Sequence, residues 1–258
     1  MEIKKVCCLG SGIIGTSLAV RFAQNGYITI LYDIEQKYLD AAKENVHTFL
    51  VHFAKFGGIK ETDIPVIEAR ISYTTSMENA VKDVQFVQES VPERYEVKWK
   101  VIEQFEQFAP EEAIFASSSS GLLITEIAKH AKHPERFVGA HPYNPPHLIP
   151  LIELSKGEKT AEAAINAAKE FFLSCKQEPI VLKKEVLGFI SNRIQQAVWR
   201  EMCELVMRGA CTFEDADKAV TFGPGIRWGI MGPGMIFRLA AGKDGTGLQK
   251  GMMESVDG

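Results

Sequence analysis

Apolar and polar positions follow two regimes along this chain. Over residues 1–183, short apolar runs of strand length alternate with stretches whose apolar positions recur at helical spacing. The pattern predicts strands over 4–9, 27–33, 71–73, 84–89, 113–117, 136–141, 149–154 and 179–182. Between them it predicts helices over 14–24, 36–56, 62–69, 76–81, 94–108, 124–130 and 161–175. Alternation of this kind implies a mostly parallel sheet covered by helices on both faces. From Gly188 onward no strand pattern recurs. Helices are expected over 189–207, 212–220 (with Thr212 as N-cap and Asp215 three residues on) and, after a Gly/Pro-rich turn, 231–240. Two domains are therefore expected, 1–183 and a short all-α domain over 184–258, with a polar, glycine-rich and poorly ordered tail over 242–258.

The first strand runs straight into Gly10-Ser11-Gly12-Ile13-Ile14-Gly15, and the second ends on Asp33, 18 residues after Gly15. Each part of that order has a physical job. Gly10 permits a tight turn, Gly12 lets a pyrophosphate approach the backbone, and Gly15 lets the helix pack close to the sheet. Ile13 and Ile14 carry the first amides of the helix, where the dipole favours an anion. An acid at Asp33 suits the adenosine ribose hydroxyls and repels a 2′-phosphate, so the expected cofactor is NAD, not NADP; Lys37 is the one nearby residue that argues the other way. The fold class this predicts is α/β: an N-terminal Rossmann-type doubly wound sheet, then an all-α C-terminal domain.

Charge and cysteine usage narrow the partners. A net charge of −4 leaves no basic surface for nucleic acid. No apolar run reaches the length of a membrane span, and residues 1–5 lead directly into the first strand, leaving no room for a signal peptide. Five cysteines match no zinc spacing; Cys7 and Cys8 fall in a buried-strand pattern as small hydrophobes, and a cytoplasmic location is expected.

A dinucleotide site needs a base before it can oxidise an alcohol. Of six histidines, His141 stands at a strand end, where ligands of open α/β sheets bind, and a proline-rich turn follows it. Glu153, set among aliphatics, is its candidate partner; alternatively it is a solvated residue facing away. Ser117-Ser118-Ser119-Ser120 is either a polar turn or a source of one hydroxyl for a substrate oxygen. Asn192 opens the long helix as either a surface residue or an amide lining the site.

These segments, together with 88–93, 139–146, 150–154 and 188–193, resemble the 3-hydroxyacyl-CoA dehydrogenase superfamily over nearly the whole chain. The resemblance implies a site of Ser120, His141, Glu153 and Asn192, with Glu93 near the nicotinamide ribose. It implies a small-molecule substrate, a homodimer, and further helices beyond the position of Gly258. His141-Pro142-Tyr143-Asn144-Pro145-Pro146 and Gly225-Ile226-Arg227-Trp228 look like the branches that act on free hydroxy acids, the carnitine and L-gulonate 3-dehydrogenases, with the carnitine branch ahead. Arg227 would then bind a free carboxylate through its planar fork, and Trp228 would face a trimethylammonium group, unless they are an ion-pair residue and a core residue. An acyl-CoA substrate would instead call on Lys37, Lys43, Lys55 and Lys60 for its phosphates. A non-enzymatic NAD-binding protein is the third reading, and the complete set of candidate site residues speaks against it.

Overall fold

The computed structural model describes residues 2–240, so the tail expected over 242–258 lies outside the described residues. Eight strands form one sheet: β1 (Lys5–Leu9), β2 (Ile28–Tyr32), β3 (Ile71–Thr74), β4 (Phe86–Glu89), β5 (Ile114–Ser117), β6 (Phe137–Pro142), β7 (Leu151–Lys156) and β8 (Glu178–Val181). Their order is β3-β2-β1-β4-β5-β6-β7-β8; all neighbours are parallel except β6 and β7. The strand order reverses between β1 and β4, which opens a crevice at their carboxyl ends.

Both faces of the sheet are covered. Val6, Cys8 and Leu31 pack on one side with Leu18 and Phe22 of α1 (Ile13–Gln24), Leu39 and Val46 of α2 (Gln36–Lys55), and Phe171 and Phe172, which lie on the helix after β7. Cys7, Leu9 and Ile30 pack on the other with Ile102, Phe105 and Ile127. Adjacent Cys7 and Cys8 thus serve opposite cores, as strand geometry requires, and burial raises both thiol pKa values. The remaining helices of this part are α3 (Ile64–Glu68), after a 3-10 turn at Glu61–Asp63, α4 (Met77–Val81), α5 (Tyr95–Phe108), α6 (Ile124–Ile127) and α7 (Glu162–Ser174). Helix α6 is shorter than expected because its backbone tightens to i→i+3 bonds, Lys129 to Glu126 and Ala131 to Ala128.

Contacts divide the chain into two compact units between Asn192 and Arg193. The division falls inside α8 (Phe189–Met207), which leads to α9 (Phe213–Phe222), α10 (Pro224–Trp228) and α11 (Pro233–Ala240). Thr212 caps α9 by accepting from the Asp215 N–H at 3.1 Å, and its hydroxyl donates to the Asp215 carboxylate at 2.7 Å. The Gly/Pro-rich segment expected to be a turn contains α10. Proline begins both α10 and α11, where its fixed φ is preorganised for a helix, and α11 accordingly starts at Pro233, not Met231.

Candidate active site

The glycine loop has the geometry its sequence implies. Gly10 sits at φ +96°, and a Cβ there would come within 2.7 Å of the Ser90 carbonyl oxygen. A Cβ on Gly15 would stand 1.9 Å from the Gly10 oxygen, so only glycine lets α1 approach the turn this closely. A Cβ on Gly12 would meet nothing within 4 Å: the space above it is open. Ile13 is exposed at the start of α1, Ile14 packs against the core, and no acid occupies the first helical turn. Asp33 Oδ2 accepts from the Ser11 N–H at 2.8 Å and the Ser11 hydroxyl at 2.7 Å, while Oδ1 accepts from the Ile34 N–H. Lys37 pairs with Glu35 at 2.7 Å, which offsets its charge near this edge. An open anion-binding helix start beside a fixed carboxylate suits the pyrophosphate and ribose of NAD.

The four serines after β5 are not equivalent. Ser117 donates to Glu89 at 2.6 Å, and Ser118 accepts from Gln88 at 2.7 Å and bonds Ser90 at 2.7 Å. Ser119 donates to Glu93 at 2.6 Å. Ser120 is exposed; its N–H, with that of Gly121, also donates to Glu93, at 2.9 and 2.7 Å. Glu93 therefore holds the serine turn in place. Behind it lies Lys98, buried on α5, 2.7 Å from the fully buried Glu89 and 3.6 Å from Glu93. Burial alone would raise the Glu93 pKa, but the Ser119 hydroxyl, the two amides and Lys98 outweigh it and hold the carboxyl below its ordinary value.

His141 and Glu153 face each other across the antiparallel β6–β7 ladder, with Nδ1 3.0 Å from Oε2. Both are buried, so the reading of Glu153 as a solvated residue is excluded. The His141 ring stacks on Phe189 at 4.7 Å. Glu153 Oε1 accepts from the Ile190 and Ser191 amides at 2.8 and 3.0 Å, and Oε2 also accepts from the Ser191 hydroxyl. Burial pushes the Glu153 pKa up; the bonds from His141, Ser191 and the amides more than reverse this, so it stays ionised below the usual carboxylate range. With Nδ1 committed to Glu153, Nε2 is the ring atom left for another partner.

Asn192 is half-buried in the first turn of α8. Arg227 and Trp228 lie on α10 of the second unit, both exposed, Trp228 at 37%. His147 is a satisfied core histidine, bonded to Ser17 at 2.9 Å and stacked on Phe49 at 4.3 Å. Sequence reasoning missed Ser11, Glu89, Lys98, Phe189 and Ser191. Lys98 carried a signal: it occupies the buried stripe of α5 with Ile102 and Phe105, where a charge demands a partner.

Residues 5–186 match the 3-hydroxyacyl-CoA dehydrogenase, NAD binding domain, and residues 188–257 its C-terminal domain. The chain is 38% identical over 247 residues to an L-carnitine dehydrogenase of Oceanobacillus iheyensis, covering 94% of this chain and 78% of that one. A solved NAD+-dependent dismutase, 5-formyl-3-hydroxy-2-methylpyridine 4-carboxylic acid 5-dehydrogenase, superposes with a TM-score of 0.86 at 30% identity, covering 99% of this chain and 79% of that one. The 3-hydroxybutyryl-CoA dehydrogenase of Escherichia coli gives 0.80 at 27% identity, covering 85% and 46%. Fold, glycine loop and relatives define an NAD-dependent oxidoreductase. The chain belongs to the 3-hydroxyacyl-CoA dehydrogenase family. Among the described residues no helix is long and apolar enough to cross a membrane.

Proposed function

We propose that the protein oxidises the C3 hydroxyl of a small L-3-hydroxy acid, L-carnitine first among them, to the 3-keto acid. The observation that carries this reading is the 38% identity with an L-carnitine dehydrogenase over 94% of the chain. His141 Nε2 takes the hydroxyl proton. Glu153, ionised and bonded at Nδ1, fixes the tautomer and stabilises the imidazolium that results. When bound, NAD accepts the hydride released from C3. The Ser120 hydroxyl and the Asn192 amide hold the reacting oxygen, Glu93 keeps the serine turn in position, and Asp33 with the glycine loop binds the cofactor. Arg227 and Trp228, both exposed on α10, are the side chains we assign to recognising a free carboxylate and a trimethylammonium group.

A second reading, the same chemistry on a 3-hydroxyacyl-CoA, draws on the likeness to the E. coli 3-hydroxybutyryl-CoA dehydrogenase. Lys43, Lys55 and Lys60 are exposed for CoA phosphates, while Lys37 is engaged by Glu35. Turnover with NAD on carnitine, L-gulonate, 3-hydroxybutyrate and 3-hydroxybutyryl-CoA separates the two. Carnitine is expected to give the highest kcat/KM; activity confined to the thioester overturns the free-acid reading. We also propose a cytoplasmic homodimer. Ile230, Met207 and Phe222 of the second unit are 85%, 82% and 73% exposed, apolar side chains that a second copy could cover. Light scattering should return twice the chain mass.

A further inference from the structure

We propose that Ser191 is a positioning residue that sets the proton affinity of His141 by sharing with it a single oxygen, Glu153 Oε2. The inference rests on the reading of His141 as the base.

The geometry begins with the backbone. Gly188 and Phe189 both take left-handed conformations, φ +78° and +51°, and an aromatic residue seldom does so. The turn they make aims the next two amides, Ile190 and Ser191, at Glu153 Oε1, and places the Phe189 ring flat against His141. Oε1 then carries two donors. Oε2 also carries two, the imidazole Nδ1–H and the Ser191 hydroxyl. A carboxylate offers about four lone-pair directions, and all are taken. Glu153 cannot turn without breaking several bonds at once, and no vacant lone pair remains to receive the proton that His141 gains. From β6 the carboxylate faces His141, from the start of α8 the two amides and the hydroxyl, and on β8 its register partner is Ile180. Among the described residues, His141 is the one titratable group bonded to it.

The consequence is electrostatic. Every donor to the carboxylate draws on the same negative charge that stabilises the imidazolium. The amides are fixed by the backbone, but the hydroxyl is a side-chain choice at position 191. It tempers Glu153, so that His141 gives up its proton more readily than it would beside a carboxylate with one fewer donor. That favours the neutral imidazole, the form that accepts a proton from an alcohol.

The test is Ser191→Ala, with Ser191→Thr as the conservative rescue and Ser191→Cys, a weak donor of similar size, should the alanine variant fail to fold. The first readout is the titration of the His141 Cε1–H signal in 13C-histidine-labelled protein without substrate, assigned by its loss in His141→Gln. Its midpoint is expected to rise by roughly half to one pH unit in Ser191→Ala and to return in Ser191→Thr. The second is the acidic limb of kcat/KM for oxidation, which should move in the same direction while NAD affinity stays within error of the parent. An unmoved midpoint, or a shift that threonine fails to reverse, overturns the proposal. Because the imidazole titration needs no turnover, it still reports on Ser191 if His141→Gln proves active and the base reading falls.

Discussion

Glu153 and Glu93 are cradled by the same kind of donor set and face different partners. Each takes two consecutive backbone amides and one serine hydroxyl: Ile190, Ser191 and Ser191 Oγ for the first, Ser120, Gly121 and Ser119 Oγ for the second. Each is held below its ordinary pKa by those bonds against the cost of burial. They differ in the group alongside. Glu153 meets an imidazole, whose second ring nitrogen is left for another partner; Glu93 meets the Lys98 ammonium, which is also engaged by Glu89. On the proposed reading, the cradle beside an imidazole serves an acid–base pair, and the cradle beside an ammonium serves as a brace.

The largest effect should come from removing the imidazole. His141→Gln keeps size and a polar end but cannot take a proton, so kcat for oxidation should fall about 10²- to 10⁴-fold. NAD affinity, measured by fluorescence quenching, should stay within a small factor of the parent. Loss of turnover and NAD affinity together would mean that the imidazole holds structure instead of moving a proton, and the comparison would collapse. Removing the Lys98 ammonium should act on stability. Lys98→Met strands Glu89 and should cost about 3–5 kcal/mol, the usual penalty for breaking a buried pair from one side. Adding Glu89→Gln should recover most of it, because no buried charge is then left alone. Urea unfolding of the two variants checks both statements, and the acidic limb of the rate profile should stay in place in the double variant.

The sequence made much of this legible, unevenly. The strand and helix alternation and the glycine loop follow from local periodicity and from positions only glycine tolerates, and both are present as expected. His141 was visible because a strand end is a local feature. Its partner was half visible: Glu153 stood in an apolar run, but whether it faced inward depended on the antiparallel register of β6 and β7, a long-range pairing. Ser191 was invisible, since nothing in a helix's first turn says which carboxylate lies beneath it. Lys98 and Glu89 were hidden by habit: charges are assumed to be solvated, although Lys98 sits in step with Ile102 and Phe105.

The smallest effect separates the two cradles by exposure. A carboxyl whose folded pKa lies below its unfolded value, about 4.3, contributes stability above that value and loses it as pH falls through the folded pKa. Both glutamates are in this class, so folding should weaken as acid is added below about pH 4.3. The Glu153 side chain has no exposed surface, whereas that of Glu93 is 40% exposed and partly screened by water. Glu153→Gln should therefore flatten the acid dependence of the urea midpoint more than Glu93→Gln does. If Glu93→Gln flattens it more, the brace bears the greater electrostatic strain, and Lys98 is a stronger partner to Glu93 than its 3.6 Å separation implies.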